Sequence, residues 1–322
     1  MFKILKKLLK KFKIIIDLFF FLLLIPSGFI MLLFRKFGSH KLPYSKFLLN
    51  KIGVFPLLDH YYEPQFNYDK NKNSFSKDRF LPGIDFKLEN QLKNLRNLNY
   101  TDELINLNFN YGTPNYNFRL KNNFFEAGDA EIYYQIIRHF KPQKIIEIGS
   151  GFSTLIALEA ADVNLKRDSK KTELICIEPY ENKWLQKYDL TLIEDNVENI
   201  DLNLFKNLNC NDLLFIDSSH IIRPDGDVLK IYMEILPVLK SGVIVHIHDV
   251  RTPKNYSRDW LVNENKFWNE QYLVESFMMN KNRYEIFLLL NYLKNKKFNN
   301  LKNKCPYLLE SNDPGSLYFK IN

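Results

Sequence analysis

Cysteine is scarce in this chain, with 3 residues among 322. Cys176, Cys210 and Cys305 lack the paired spacing of a metal site and of a disulfide framework, which excludes both and indicates a reducing compartment. The chain also lacks an internal repeat, and its second half lacks basic runs interleaved with aromatic residues. We therefore expect no nucleic-acid partner, although the net charge is +8.

Much of the basic excess precedes residue 52 and flanks a long apolar run. Residues 14–34 are apolar apart from Asp17 and the sequence Pro26-Ser27-Gly28. At ~1.5 Å per residue, this run could just cross a bilayer core of ~30 Å. Arg35 and Lys36 follow it directly and no small-residue cleavage site is present, which argues against a cleaved signal peptide.

The most informative motif is KIIEIGSGFST at residues 144–154. A β-branched run predicts a buried strand, and Gly149 and Gly151 predict a turn that brings bare backbone against a ligand. A dinucleotide fingerprint requires a third glycine, but Thr154 occupies that position. Glu147 precedes the turn, and a carboxylate suits a cationic or amino-bearing ligand better than a diphosphate.

Strand-like runs that end in an acid recur along the second half and alternate with helical stretches. This alternation predicts an α/β fold with a doubly wound, Rossmann-like, mostly parallel sheet. The carboxyl ends of such strands meet at one edge of the sheet, where ligands bind. The acids that collect there are Glu147, Glu178, Asp195, Asp217 and Asp249.

Five motifs in order, EIGSG, IEPY, FIDSSH, GDVLKIYMEILPVLKSG and HIHDV, resemble those of class I S-adenosylmethionine-dependent methyltransferases of the small-molecule type called family 24. The resemblance covers about residues 124–322. It implies a seven-stranded sheet with an antiparallel last strand, for which residues 284–290 and 315–321 are the candidate final strands. The implied cofactor is S-adenosylmethionine, and its expected contacts are Glu147, Gly149, Ser150, Gly151, Ser153, Glu178, Asp195, Asn196 and Asp217.

Methyl transfer requires an aligned acceptor and a base with a pKa near neutrality, a property of histidine. His220 follows Asp217 by three residues, just past the fourth predicted strand. Some sugar O-methyltransferases have this Asp-x-x-His arrangement, and the resemblance implies that Asp217 faces a divalent metal while His220 accepts the proton. Alternatively, His220 caps the helix that follows.

The same resemblance implies Asp217, Asp249 and His248 as metal-facing groups. Magnesium favours oxygen ligands, which suits the two aspartates better than the histidine. Metal-dependent relatives often have two adjacent acids at the end of the fifth strand, whereas this chain has His248-Asp249. Magnesium dependence therefore stays open. His246 lies on the same face of the strand and is expected in the core.

The segment after Asp249 is the expected contributor to the acceptor pocket. Residues 260–279 have the apolar spacing of a helix. Trp268, Asn269 and Gln271 combine an aromatic ring with amides, a composition suited to a sugar; the alternative is a helix that only covers the sheet. We predict an O-methyltransferase acting on a sugar or lipid-linked glycan. A nicotinamide-dependent oxidoreductase and a non-catalytic membrane-associated scaffold are the alternatives.

Three regions are expected: a membrane-anchoring segment at 1–37, an accessory or lid region at 38–122 and the methyltransferase domain at 123–322. The N-terminal flank of the apolar run is more basic than its C-terminal flank, so a spanning helix would keep the N-terminus in the cytoplasm. Full spanning would therefore export the catalytic domain away from its cofactor. A helix broken at Pro26 and Gly28 would let both basic flanks rest on anionic lipid of one leaflet. We therefore predict attachment to the cytoplasmic face of the inner membrane without full spanning.

Overall fold

The computed structural model describes residues 2–58, 63–64, 75–180 and 183–322, without the side chains of residues 2–11 and 183. The chain divides into two compact units, residues 1–72 and 73–322. This boundary lies inside the predicted accessory region, whose second half belongs to the same unit as the predicted catalytic domain. The three-part functional division stays a prediction.

The N-terminal unit contains helix α1 (Phe2–Phe37), which is continuous through Pro26. The predicted break at Pro26 and Gly28 is therefore wrong. The Ser27 hydroxyl donates to the Leu23 carbonyl at 2.9 Å, so a side chain satisfies an acceptor near the proline. Phe12–Phe37 is apolar and long enough to cross a membrane. A shorter helix, α2 (Pro43–Ile52), follows and ends at Gly53.

Within the described residues, the second unit is built on one seven-stranded sheet with the order β3-β2-β1-β4-β5-β7-β6. Strands β1 to β5 pair in parallel, and β7 is antiparallel to both β5 and β6. The predicted fold, with its antiparallel last strand, is confirmed. The strands are β1 (Lys144–Ile148), β2 (Glu173–Ile177), β3 (Thr191–Ile193), β4 (Leu213–Ile216), β5 (Ile244–Ile247), β6 (Tyr284–Leu289) and β7 (Leu317–Ile321).

Helices cover both faces of this sheet. Successive apolar residues of each strand face opposite sides of the sheet. Ile145 packs with α5 (Asp129–Phe140) and α6 (Phe152–Asp168) on one face, and Ile146 packs toward α8 (Asp227–Lys230) and α11 (Glu270–Met278) on the other. The helices of the second unit are α3 (Leu88–Asn97), α4 (Thr101–Leu107), α5 (Asp129–Phe140), α6 (Phe152–Asp168), α7 (Leu202–Lys206), α8 (Asp227–Lys230), α9 (Leu236–Val238), α10 (Arg258–Val262), α11 (Glu270–Met278) and α12 (Leu290–Lys302). A π-helical turn, Ile231–Ile235, joins α8 to α9.

The segment predicted as one helix at 260–279 is instead two helices, α10 and α11, separated by a loop. Asn265 has a left-handed backbone with φ of 54°, a conformation that asparagine tolerates and that a continuing helix excludes. The break matters because it places Trp268 and Asn269 in the loop and Glu270 at the first position of α11.

The strand order reverses between β1 and β4, which are neighbours in the centre of the sheet. At such a switch point, the loops that leave the two strands diverge and open a crevice. The loops after β1, β4 and β5 meet there, and they carry most of the predicted site residues.

Candidate functional site

The turn after β1 requires glycine at its first position. Gly149 has φ of +78°, and a Cβ atom there would lie 2.0 Å from the Asp217 carbonyl oxygen. The Gly149 amide donates to the Ile177 carbonyl at 3.0 Å, and the Asp217 amide donates to the Ile148 carbonyl at 2.9 Å. The ends of β1, β2 and β4 are therefore joined tightly at the point where the crevice opens.

Glu147 lies behind this turn, fully buried. Its carboxylate accepts from the Tyr133 hydroxyl at 3.0 Å and from the Thr154 hydroxyl at 2.5 Å. Burial raises the pKa of Glu147 to about 7, although these hydrogen bonds oppose the shift. Thr154 in turn accepts from the Gly151 amide at 3.0 Å. The described contacts of Glu147 thus support the turn.

Two cavities meet at Gly149, Glu178 and Asp217. The first has a volume of about 560 Å³ and is lined by the glycine turn, Ser153 and a group of aromatic rings. The second, of about 260 Å³, runs along the loops after β2 and β3. The aromatic residues of the first cavity are Tyr116, Phe124, Phe125, Phe152, Trp184 and Tyr188.

Most predicted cofactor contacts line these two cavities. Gly149, Ser150, Gly151, Ser153 and Asp217 face the first. Glu178 lines both cavities, and its carboxylate accepts from the backbone amides of Ser150 and Tyr180 at 3.1 and 2.9 Å.

Asn196 and Asp195, which are adjacent in sequence, are placed differently. Asn196 lines the second cavity. Asp195 is exposed, and its carboxylate accepts from the Asn196 amide and the Asn199 side chain at 2.7 and 2.8 Å. The structure therefore brings together every predicted cofactor residue except Glu147 and Asp195, whose described contacts stabilise neighbouring loops.

The loops after β4 and β5 bring the predicted catalytic and metal residues together. His220 Nε2 lies 3.2 Å from Asp217 Oδ1 and 3.7 Å from Asp249 Oδ2. His248 Nδ1 lies 3.5 Å from Asp217 Oδ1 and 3.8 Å from Asp249 Oδ2. Both rings are buried, whereas the Asp217 side chain retains 37% exposure toward the crevice.

Electrostatics favour charged histidines in this cluster. Burial opposes the imidazolium form of His220, but Asp217 and Glu270 outweigh it and raise the pKa to about 10. Burial likewise opposes charge on His248, whose pKa Asp249 and Asp217 hold well above its usual range. Burial raises the pKa of Asp217, but His248 and His220 outweigh this effect and hold the pKa well below its usual value.

Three side chains at the ends of β4 and β5 offer donor atoms to a metal ion. One ligand atom each from Asp217, His248 and Asp249 lies within 4.8 Å of the others. Two carboxylates at the mouth of a crevice fit a hard divalent ion, and the imidazole adds a donor that zinc-type ions use more often than magnesium does. The residues present therefore fit a divalent cation, with Asp217 and Asp249 as its oxygen ligands.

A third cavity, of about 160 Å³, adjoins the first through Phe124. His248 and Asp249 line it, and its aromatic lining residues are Phe124 and Trp260. Its other lining residues are mostly amides and carboxylates: Asn123, Glu126, Ala127, Asp129, Asn312, Asp313 and Pro314.

The predicted acceptor residues lie nearby, and their side chains contact other groups of the protein. The Trp268 ring centroid is 4.2 Å from that of His220. The Asn269 side chain accepts from the Ile222 amide at 2.6 Å, and Gln271 accepts from the Arg251 amide at 2.7 Å. A direct role for these three residues toward an acceptor stays a prediction.

Sequence reasoning missed Trp260 and Glu270. The sequence pattern gives Trp260 only as the start of the predicted helix, and Glu270 only as a neighbour of the predicted acceptor residues Asn269 and Gln271. Glu270 is 1% exposed and lies 2.7 Å from His220 Nδ1. His220 and Glu270 are separated by 50 positions in the sequence and form no local motif, so only the fold reveals the pair. His246, expected in the core, is fully buried and bonds Ser316 at 2.8 Å.

Comparison with known proteins agrees with this geometry. Residues 146–250, from β1 to just beyond β5, match the family model described as a methyltransferase domain. An uncharacterized protein of Archaeoglobus fulgidus is 37% identical over 174 residues, which cover 49% of this chain and 75% of the relative.

Two solved structures can be set beside the fold. An O-methyltransferase from Bacillus cereus in complex with SAH has 10% identity and a TM-score of 0.36, and covers 71% of this chain and 90% of that chain. The MycE methyltransferase of the mycinamycin pathway, in complex with Mg, SAH and mycinamycin VI, has 11% identity and a TM-score of 0.33. The match covers 59% of this chain and 48% of that chain. The match to the family model identifies residues 146–250 as part of a class I S-adenosylmethionine-dependent methyltransferase domain.

Proposed function

We propose that the protein methylates a hydroxyl oxygen of a small polyhydroxylated acceptor, a sugar or a lipid-linked glycan. The observation that carries the proposal is the convergence of Asp217, His220 and Asp249 where the first and third cavities adjoin. A nicotinamide-dependent oxidoreductase gains no support, because the family is that of methyltransferases and Thr154 replaces the third glycine.

The two cavities that meet at Glu178 suit the two ends of the methyl donor. We assign the methionine end to the backbone of Gly149 and Gly151, the ribose hydroxyls to Glu178 and the adenine to the neighbourhood of Asn196. When bound, S-adenosylmethionine supplies a methyl group already activated by the sulfonium, so the protein must only align the acceptor and remove its proton.

The third cavity is the proposed acceptor site. Trp260 offers a flat apolar face, and the amides and carboxylates opposite it can bond hydroxyl groups. The residues that line this cavity include the acids Glu126, Asp249 and Asp313 but no lysine or arginine. Three carboxylates among the lining residues disfavour a phosphorylated acceptor, although Arg251 and Lys294 pair with Asp313.

His220 is the proposed base, through Nε2. Asp217 and Glu270 raise the pKa of the ring to about 10, which favours its protonated form. The positive sulfonium of the cofactor opposes that charge, and so does a magnesium ion held by Asp217 and Asp249. We therefore propose magnesium as a second cofactor.

The proposal is tested with the full-length protein by calorimetric titration of S-adenosylmethionine, followed by methyl transfer to a panel of sugars with and without EDTA. We expect His220→Ala to bind the cofactor as the wild type does and to lose transfer. Cofactor binding without transfer to any acceptor would favour the non-catalytic scaffold, and full turnover of His220→Ala would remove the base assignment.

We also propose that α1 attaches the protein to a membrane with the catalytic unit on the cytoplasmic side. Its apolar side chains between residues 12 and 37 are mostly exposed, and basic residues flank them. Single cysteines at residues 5 and 45, in a Cys210→Ser background, can be tested with an impermeant thiol reagent on intact cells. Labelling at 45 would contradict the proposed side, and labelling at 5 alone would mean that α1 spans the bilayer.

A further inference from the structure

Glu270 holds one side of the His220 ring. It is the first residue of α11, and its side chain is almost completely removed from solvent. Glu270 Oε2 lies 2.7 Å from His220 Nδ1, and Oε1 accepts from the Tyr232 hydroxyl at 2.9 Å. A buried carboxylate with a partner on each oxygen has little freedom to rotate, so the ring that it bonds is held in one orientation.

The backbone reinforces this contact. The amides of Asn269 and Glu270 donate to the His220 carbonyl at 3.0 and 3.1 Å. His220 has φ of 59°, a left-handed conformation that is uncommon for residues other than glycine. The loop after β4 is thus fastened to the start of α11 by main-chain and side-chain bonds together, which maintain the strained backbone at His220.

The two ring nitrogens of His220 consequently face different environments. Glu270 can only accept a hydrogen bond when ionised, so Nδ1 must carry the hydrogen. Nε2 points the other way, 3.2 Å from Asp217 Oδ1 at the edge of the crevice. In the neutral ring, the free electron pair would therefore be on Nε2 and directed at the site. Trp268 packs beside the ring, with centroids 4.2 Å apart.

We propose that Glu270 is a positioning residue for methyl transfer: it fixes His220 as the Nδ1–H tautomer and stabilises the imidazolium that forms when the acceptor is deprotonated. This inference rests on the proposed role of His220 as the base. In the reaction, the acceptor hydroxyl proton moves to Nε2 and the oxygen forms a bond to the methyl carbon. The carbon–sulfur bond breaks, and its electron pair stays on the neutral thioether product.

A purely structural role for Glu270 predicts a different outcome. In that case its replacement would destabilise α11 and the loop after β4, and activity would fall only as far as folding does. The same helix offers a matched control, Glu275, which is 5% exposed. Its carboxylate accepts from Arg79, from the Thr252 hydroxyl and, at 3.3 Å, from the Gln271 side chain, away from His220.

The experiment compares Glu270→Gln with Glu275→Gln in the full-length protein, measuring kcat, KM for both substrates and the thermal midpoint. We expect Glu270→Gln to lower kcat by about 100-fold with cofactor affinity changed less than about twofold. Glu275→Gln should keep kcat even where its thermal midpoint falls as far. Equal losses of kcat in both variants, or a loss that follows the thermal midpoint, would overturn the proposal.

A readout independent of turnover comes from nitrogen NMR of histidine-labelled protein, with the His220 signals identified by their absence in His220→Ala. With S-adenosylmethionine and magnesium bound, the wild type should show a neutral ring with its hydrogen on Nδ1, and Glu270→Gln should show a changed Nδ1 signal or a mixture of tautomers. An unchanged His220 spectrum in Glu270→Gln would refute the positioning role. If His220→Ala itself retains turnover, the base assignment fails first, so the two failures are distinguishable.

Tyr232→Phe provides an intermediate case. It removes the hydroxyl that holds the second oxygen of Glu270 and leaves the bond to His220 possible. We expect a smaller fall in kcat than for Glu270→Gln, with the Nδ1–H tautomer retained. A larger fall than for Glu270→Gln would contradict the proposed order of contacts.

Discussion

The Thr154 hydroxyl bonds the buried Glu147 carboxylate at 2.5 Å and accepts from the Gly151 amide at 3.0 Å. This relay connects the end of β1 to the turn that opens the crevice. It explains why an acid precedes the turn, because Glu147 is the fixed acceptor that orients Thr154. It also explains why threonine at the third glycine position is compatible with the fold.

The first prediction concerns the pH dependence of stability. Burial raises the pKa of Glu147 to about 7 from its usual 4.5, so the folded state retains this proton when the unfolded state has lost it. The associated stability is complete below pH 4.5 and is lost as pH rises through 7. Glu147→Gln should remove this dependence. As pH rises from 4.5 to 8, its free energy of unfolding should therefore increase by up to about 3 kcal/mol relative to that of the wild type.

Thermal unfolding of both proteins at several pH values measures the difference. Glu131 also has a pKa raised to about 7 by burial, so the wild-type curve alone is insufficient. The informative quantity is the gap between wild type and variant, in which the Glu131 contribution cancels. A gap that is constant from pH 5 to pH 8 would contradict the prediction.

The second prediction concerns the two glycines of the turn. Gly149→Ala forces a left-handed φ on alanine and places Cβ 2.0 Å from the Asp217 carbonyl oxygen, so we expect a loss of more than about 3 kcal/mol. Gly151→Ala is the matched control, because its Cβ would have no atom within 4 Å. It should change the free energy of unfolding by less than about 1 kcal/mol. Thermal midpoints that are equal for the two variants would show that the turn can rearrange.

Much of the fold could be predicted because parallel strands buried on both faces are continuous apolar runs. The acids that follow these strands marked their carboxyl ends, and so the crevice. The break between α10 and α11 could not be predicted from apolar spacing, since the residues of both helices keep the helical period. It depends on Asn265, which adopts a backbone conformation that periodicity does not report.

The site was only partly predictable for a related reason. Asp217 and His220 are close in sequence and so formed a recognisable motif, whereas Glu270 reaches the ring through tertiary contacts alone. The position of Glu147 before the glycine turn predicts a contact with the cofactor, and this contact stays a prediction. In the described structure, the pleat of β1 directs its side chain to the buried face, toward Tyr133 of α5.

The third prediction concerns magnesium. If Asp217 and Asp249 hold the ion, magnesium should stabilise the folded protein by about 1.4 kcal/mol at a concentration ten times its Kd. Asp249→Asn should lose most of this stabilisation. Asp195→Asn is the control, since Asp195 is an exposed carboxylate whose described bonds are to Asn196 and Asn199. Thermal midpoints with EDTA and with added magnesium provide the measurement, and equal shifts in all three proteins would indicate nonspecific binding.

The last prediction separates the acceptor site from the cofactor site with two tryptophans. Trp260 lines the third cavity and Trp184 lines the first. Loss of the Trp260 ring removes the flat face for the acceptor, so Trp260→Ala should raise KM for a sugar acceptor about tenfold and leave cofactor affinity within about twofold. Trp184→Ala should do the reverse, because its ring faces the cavity assigned to the methyl donor. Calorimetry with S-adenosylmethionine and steady-state kinetics with the acceptor resolve the two effects. If Trp260→Ala weakens the cofactor and spares the acceptor, the assignment of the cavities is inverted and the acceptor must enter by the glycine turn.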